Sequence, residues 1–326
     1  MQELYLTEPG QIGIQGVKTL PAVREDEVKI ETIYGGICGS DLSVYKGSLE
    51  YAIYPVRPGH ELLGRVVEAG SRSGFVPGQR VVIQPNTYCG QCEWCSAGKT
   101  NICPHKKSLG VNMDGVFSSQ FVIPAKYVIP VPDGLSDERA VLTEPLAVVV
   151  HAFKKVRIGK GTKVAIIGCG NEGMLAAALA LYKGADVVAM DINPNKLDLV
   201  KQLGQVRTAH PDEINEEQFE VVIEAAGVSQ SVEKGVLLVK PGGSLVLIGL
   251  AKEATLQIIK IVRKEISIYG TIIYHVPDDF VQAMEYLKDD RFNISPLVTG
   301  IFPLTEYQKA YDTALSGVHG KILLQF

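Results

Sequence analysis

Fifteen residues, "CGQCEWCSAGKTNIC", hold Cys89, Cys92, Cys95 and Cys103. The spacing CxxCxxCx₇C places four soft thiolates in one polar, glycine-containing loop, and four sulfurs suit a tetrahedral Zn²⁺. Such a site is coordinatively closed, so it holds the chain together and leaves no position for a reacting water. An iron-sulfur centre shares the spacing of three of these cysteines but continues with a different fourth interval. Unmetallated thiols would not cluster this way in a loop. A second, dispersed set comprises Cys38 in "GGICGSD", His60 and Glu61 in "PGHELLG", and Glu144 in "LTEPLAV". One thiolate, one imidazole and a carboxylate are the donors of a catalytic zinc that keeps a labile position for water or substrate. Singly, each has an ordinary explanation: packing for the cysteine, solvent-facing polarity for the His-Glu pair. Together, upstream of a nucleotide motif, they point to chemistry.

The nucleotide motif is "GCGNEG", with Gly168, Gly170 and Gly173 running straight on from "KVAIIG" into an Ala/Leu-rich segment. Glycines there let backbone amides approach a pyrophosphate at a helix N-terminus. Asp191 ends the next apolar run, in register to accept both ribose hydroxyls of an adenosine. A carboxylate at that point repels a 2′-phosphate and favours NAD over NADP. Lys196 follows one helical turn later, at the adenosine end or in solvent, and Ile248 and Leu250 close the later run "SLVLIGL" where a cofactor would lie. Glu172 puts an acid beside the phosphates, which the helix dipole tolerates and the phosphates do not. Either its side chain turns outward or it weakens cofactor affinity, in which case Glu172→Ile tightens NAD binding.

The elements that must position these residues fall into three regions. Up to about residue 145, short β-branched runs such as "EVKIETIY", "LLGRVVEAG", "RVVIQP" and "YVIPVP" are broken by Gly and Pro, which predicts a mostly β domain. From Lys163, "KVAIIG", "DVVAMD", "VRTAH", "FEVVIEAAG", "SLVLIGL" and "ISIYGTII" alternate with helical segments. Six strands joined by helices predict an α/β, doubly wound parallel sheet of the Rossmann kind. The crossover "PDEINEEQF" is too short for a full helix and is expected to be a single turn or bare loop. The closing stretch from Asn293 carries one amphipathic helix and then an apolar strand, folding back on the first domain. The divisions are 1–148, 149–289 and 290–326.

The 326 residues suffice for two domains, with 46% hydrophobic residues, 21% charged residues and a net charge of only −4. This balance excludes disorder and offers nucleic acid no electrostatic attraction. The first residues contain no signal segment, and no run approaches a membrane span. The expectation is a cytoplasmic protein, and in a reducing cytosol clustered cysteines bind metal rather than form disulfides.

Taken together, "GGICGSD", "GHE", the four-cysteine lobe, "TEPLAVVVHA" and "GCGNEG…MDIN" resemble the zinc-dependent medium-chain dehydrogenases, particularly the polyol and sugar-alcohol branch. The resemblance runs over nearly the whole chain. It implies a GroES-like, partly open β-barrel catalytic domain interrupted by the nucleotide domain, two Zn²⁺ per chain, NAD, and a homodimer or homotetramer. It also implies that the four-cysteine lobe is structural and that Cys38 and His60 ligate the reactive zinc with Glu61 or Glu144 as third ligand. Ser40 matches the hydroxyl that takes the substrate proton, whereas a turn serine bonded to its own backbone is the plainer reading. Asp41 holds the metal loop in place. Two positions depart from the family pattern: Ser43 stands where many relatives have a relay histidine, and Ile273 where the polyol branch has an arginine. Tyr45 and Tyr274 either line the substrate pocket or belong to the core. The expected reaction is NAD-dependent oxidation of a secondary alcohol in a polyol, sugar acid or polyol phosphate. The alternatives are an L-threonine 3-dehydrogenase-like activity, for which "GVNMDG" and "GKTNIC" speak, and a non-enzymatic zinc or dinucleotide-binding protein.

Overall fold

The computed structural model describes residues 1–326 except Lys18 and Glu216. The chain opens with a hairpin, β1 (Gln2–Glu8) and β2 (Gln11–Gly16), whose alternation buries Leu4 and Leu6. A seven-stranded sheet follows from β3 (Glu27–Ile37), β4 (Glu61–Ala69), β5 (Arg80–Ile83), β6 (Gln120–Pro124) and β7 (Val128–Pro130). It is completed by the last two strands of the chain, β14 (Val298–Pro303) and β15 (Lys321–Gln325). Antiparallel pairing dominates this sheet, and β15 lies along β3 with Leu323 opposite Gly36. The closing stretch therefore returns to the first region as its sequence implied, through a strand, β14, that the sequence reading had not separated.

Between these parts runs a parallel six-stranded sheet, ordered β10-β9-β8-β11-β12-β13. Its members are β8 (Lys163–Ile167), β9 (Asp186–Met190), β10 (Arg207–Ala209), β11 (Phe219–Glu224), β12 (Val239–Leu247) and β13 (Ser267–Gly270). These are the six strands expected. Between β10 and β11 the described residues form only a 3₁₀ turn at Pro211–Glu213, since nine residues cannot complete a helical crossover; Glu216 of that segment lies outside the described residues.

The helices are α1 (Gly39–Tyr45), α2 (Glu93–Ser96), α3 (Asp137–Ala140), α4 (Thr143–Phe153), α5 (Asn171–Tyr182), α6 (Pro194–Lys201), α7 (Ser229–Leu238), α8 (Ile258–Lys264), α9 (Asp278–Lys288) and α10 (Tyr307–Leu315). Position 148, where the sequence reading divided the chain, falls inside the continuous helix α4. One apolar core joins Leu63 and Val82 of the first sheet to Val164 and Ile223 of the parallel sheet through buried residues of α4, α5 and α9. Burying a Leu or Val side chain contributes about 1.5–3 kcal/mol, so this shared core fixes the two sheets against each other. Among the described residues no helix is long and apolar enough to cross a membrane.

Candidate active site

Two groups of metal-ligating side chains converge. The first is Cys89, Cys92, Cys95 and Cys103, whose sulfurs all lie within 4.8 Å of one another. Cys89 and Cys95 are 3.9 Å apart, Cys92 and Cys103 3.9 Å, and Cys89 and Cys103 3.7 Å. A tetrahedron with Zn–S bonds of about 2.3 Å has edges of about 3.8 Å, so the sulfurs stand at zinc spacing and far beyond a disulfide bond. Local structure places them: Cys92 caps the short α2, and backbone amides of Cys95 and Cys89 each lie 3.5 Å from a sulfur, of Cys92 and Cys103 respectively. Amides at Gln91 and Cys92 pull the Cys89 thiol down to about 6, toward the thiolate a metal requires.

The second group is Cys38, His60 and Glu61, with ligand atoms likewise within 4.8 Å of one another. Cys38 follows directly on β3 as the N-cap of α1, His60 immediately precedes β4 and Glu61 opens it, so the β3–β4 pairing carries them together. Buried Asp41 ties the two segments, accepting from the Cys38 amide (2.9 Å) and the Gly59 amide (3.1 Å). Its Oδ1 also lies 3.3 Å from His60 Nδ1, which turns the other ring nitrogen, Nε2, toward the cleft. Burial works against protonation of His60, but Asp41 and the Cys38 sulfur outweigh it, and the ring is held well above its ordinary pKa while no metal is bound.

Glu61 is fully buried and both its oxygens meet Lys321 Nζ, at 2.5 and 2.7 Å. The contact crosses β3, because Lys321 begins β15 on one side of that strand and Glu61 begins β4 on the other. Gly36 makes the crossing possible: a Cβ there would stand 2.0 Å from Glu61 Oε2. The paired glycines before Cys38 thus leave room for a carboxylate. Lys321 was not singled out by the sequence reading. The available signal was a lone lysine opening the apolar run "KILL", since a buried charge is retained only with a partner.

Glu144 lies in the first turn of α4 outside the three-residue group, buried and pushed up to about 7 by that burial, with Glu61 adding to it and His60 and Lys321 opposing. Tyr274, also buried, hydrogen-bonds Asn86 Oδ1 (2.8 Å) and neighbours Glu144. Of the two readings of Tyr274, the structure gives the core: it is packed within the apolar core shared by the two sheets. Tyr45 packs against the Tyr311 ring, 5.4 Å away. Ile273 adopts φ 42°, strained for a β-branched residue, just where the polyol branch carries an arginine. Ser40 Oγ stands 3.4 Å from His60 Nε2, whereas Ser43 Oγ is turned back onto the Gly39 carbonyl (3.0 Å).

The glycine turn faces this cluster. Gly173 must be glycine, since a Cβ there would meet the Gly168 carbonyl oxygen at 1.8 Å, while the space in front of Gly170 is open. Gly170 caps α5 with no side chain satisfying the first-turn amides, the arrangement that receives a phosphate. Asp191 is fixed from both sides, accepting from the amides of Cys169 (2.7 Å) and Asn193 (2.8 Å). Lys196 Nζ donates to the His319 carbonyl, so it joins the closing segment to α6 rather than reaching freely into solvent. Ile248 is buried at the end of β12's run, and Leu250 is exposed beyond it, its amide 3.0 Å from where a Cβ on Gly227 would stand. A cleft of about 300 Å³ is lined by Cys38 and Leu42 on one side and Gly170, Asn171, Glu172 and Lys196 on the other. Glu172 does not turn wholly outward: it is half-buried in the wall of this cleft, its Oε2 enclosed without a hydrogen-bond partner among the described residues.

This constellation matches known proteins along the whole chain. The model for the alcohol dehydrogenase GroES-like domain matches residues 24–133, and that for zinc-binding dehydrogenases residues 173–289. A sorbitol dehydrogenase from Halalkalibacterium halodurans is 33% identical over 94% of each chain. The protein belongs to the zinc-binding alcohol dehydrogenases. An L-threonine 3-dehydrogenase from Protochlamydia amoebophila is 30% identical over 93% of each chain. Among solved structures, a zinc-binding dehydrogenase from Sinorhizobium meliloti bound to NADP superposes with TM-score 0.92 at 27% identity, covering 100% of this chain and 99% of that one. This dehydrogenase accordingly takes zinc and a nicotinamide dinucleotide, and both donor sets and the open glycine turn fit those groups.

Proposed function

We propose that this dehydrogenase oxidises a secondary hydroxyl of a polyol, sugar acid or polyol phosphate with NAD, reversibly to the ketone. The observation that carries the reading is that Cys38, whose sulfur gathers with His60 and Glu61, lines the same cleft as the uncapped glycine turn. Cys38, His60 and Glu61 are the zinc ligands on this reading, with Glu144 close enough to exchange. Cys89, Cys92, Cys95 and Cys103 hold a second, structural zinc. Residues 1–148 and 290–326 form the catalytic domain and 149–289 the nucleotide domain of a cytoplasmic homodimer or homotetramer.

Zinc and NAD, when bound, supply the Lewis acid that lowers the hydroxyl's pKa and the hydride acceptor. The chain does the rest. Asp41 keeps His60 oriented and ties its segment to that of Cys38. Lys321 fixes Glu61 from behind. Ser40 Oγ, beside His60 Nε2, takes the hydroxyl proton and passes it to water, since Ser43 is engaged with the Gly39 carbonyl. Gly168, Gly170 and Gly173 seat the pyrophosphate, Ile248 and Leu250 flank the cofactor, and Lys196 closes the adenosine end. Asp191 favours NAD because its fixed carboxylate would repel a 2′-phosphate.

The motif that spoke for threonine is used otherwise. In "GVNMDG", Asn112 accepts from the Ser108 amide and Asp114 from the Arg57 amide, which are loop contacts. An absorbance screen at the reduced-nicotinamide band across polyols, sugar acids, polyol phosphates and threonine, with NAD and NADP in parallel, tests the reading. Turnover of a polyol-type substrate with NAD is expected; turnover of threonine alone, or of no alcohol by zinc-loaded protein, would overturn it.

A further inference from the structure

Glu172 is a half-buried acid with one carboxylate oxygen, Oε2, enclosed and given no partner among the described residues. It occupies the first turn of α5, two residues after Gly170, within the turn that seats the pyrophosphate. The cation that acts on it most strongly, Lys321, gives both of its side-chain contacts to Glu61. Burial pushes Glu172 up to about 8, Lys321 opposes this, and Glu144 and Glu61 add to it. Leaving such an atom unsatisfied is destabilising, and a buried polar atom without a partner calls for one from outside the protein.

The direction in which Glu172 points narrows what that partner is. With the pyrophosphate at Gly170 and the adenosine toward Asp191, the nicotinamide half extends toward Cys38, His60 and Glu61. Glu172 faces this side, lining the same cleft as Cys38 and Gly39, and the charges acting on it are those of Lys321, Glu144, Glu61 and His60. The one cationic part of the cofactor is the oxidised nicotinamide ring, and reduction removes that charge. A polyol offers none. Resting on the cofactor reading above, we infer that Glu172 is the counter-charge for the oxidised nicotinamide ring, biasing this dehydrogenase toward NAD⁺ over NADH. The other two acids cannot serve this purpose, Glu61 being already committed to Lys321 and Glu144 being buried beside Tyr274 and absent from the cleft lining.

The test is direct titration of zinc-loaded protein with NAD⁺ and with NADH, without substrate, in wild type, Glu172→Gln and Glu172→Ile. NADH binding is followed by its fluorescence and NAD⁺ binding by competition. The ratio of the NAD⁺ to the NADH dissociation constant should rise on the order of tenfold in both variants, the low end of what one opposite charge does to an equilibrium, with the change falling on NAD⁺. Intact NADH binding and unchanged zinc content show that each variant is folded and loaded. A ratio unchanged within twofold overturns the inference, including the case in which both forms bind tighter because the acid merely opposed the phosphates. Loss of zinc from Glu172→Gln also overturns it, by making the residue a support of the metal. Failure of wild type to bind either dinucleotide would sink the cofactor reading instead.

Discussion

Replacing Lys321 with methionine removes a charge from the middle of the protein at nearly constant volume. Lys321 and Glu61 are both fully buried and 2.5–2.7 Å apart. At an effective permittivity of about 20, unit charges about 3 Å apart attract by roughly 5 kcal/mol, and removing one partner of a buried pair costs about 3–5 kcal/mol because the other is left uncompensated. In metal-free protein Lys321→Met should therefore lower unfolding free energy by about 3 kcal/mol. With zinc bound, a second cation stands within reach of Glu61, and the loss should fall to about 1 kcal/mol. By linkage, the variant should bind zinc at this site more tightly by the difference, ~2 kcal/mol or about thirtyfold. Guanidinium unfolding of wild type and variant, each with chelator and with zinc, gives both numbers. The four-cysteine site is emptied or filled in both proteins and cancels in the difference. Adding Glu61→Gln to the variant should recover most of the metal-free loss. An equal loss with and without zinc would refute the reasoning, since Glu61 would then face Lys321 alone and take no part in holding the metal.

Cys38→Ser should cut turnover by more than about 10³ while melting temperature and cofactor binding stay near wild type; Cys103→Ser should lose one zinc equivalent and several degrees of melting temperature, and the opposite pattern would reverse the roles assigned to the two clusters. Asp191→Ser with Ile192→Arg should move preference from NAD toward NADP, read as the ratio of kcat/KM for the two cofactors, because Ile192 is exposed beside the ribose position. An unchanged ratio would show that Asp191 serves the Cys169 and Asn193 amides alone. In metal-free protein, Glu144 and Glu172 hold protons up to about 7 and about 8 that the unfolded chain has already released above about 4.5. The native state binds more protons across that window, so stability should fall by up to about 6 kcal/mol as pH rises from 5 to 8 and level off above. Glu172→Gln should flatten the slope, and rising stability over the same range would contradict the burial of both acids.

What could be read from the sequence was what depends on neighbours in the chain. The parallel sheet was legible because each strand and helix announces itself within about ten residues, and the 3₁₀ turn at Pro211–Glu213 because a short crossover leaves no other choice. The sulfur cluster was legible because its ligands share one loop. Cys38, His60 and Glu61 were legible through resemblance and not through spacing, as their approach depends on the register of β3 with β4. Lys321 stayed hidden because its partner is 260 residues away and meets it only after β15 has paired with β3. The role of Gly36 was hidden for the same reason. Glu172 was noticed but its direction was open, since a first-turn side chain can face either the cleft or solvent and only packing decides.

The direction taken by Glu172 changes how the cleft as a whole is understood. Cys38, Glu61, Glu144 and Glu172 are four groups that carry negative charge when ionised, gathered around Lys321 and His60. Burial makes that excess unfavourable, and the free protein answers by raising Glu144 to about 7 and Glu172 to about 8. A divalent ion at Cys38, His60 and Glu61 relieves the part nearest the metal. The carboxylate farthest along the turn is still unmatched, and it is the one that shares its loop with the pyrophosphate amides. Metal and oxidised cofactor thus complete one charge balance from two sides, which requires zinc to strengthen NAD⁺ binding less than it would in a site without Lys321, and makes reduction of the ring the step that leaves Glu172 without its partner again.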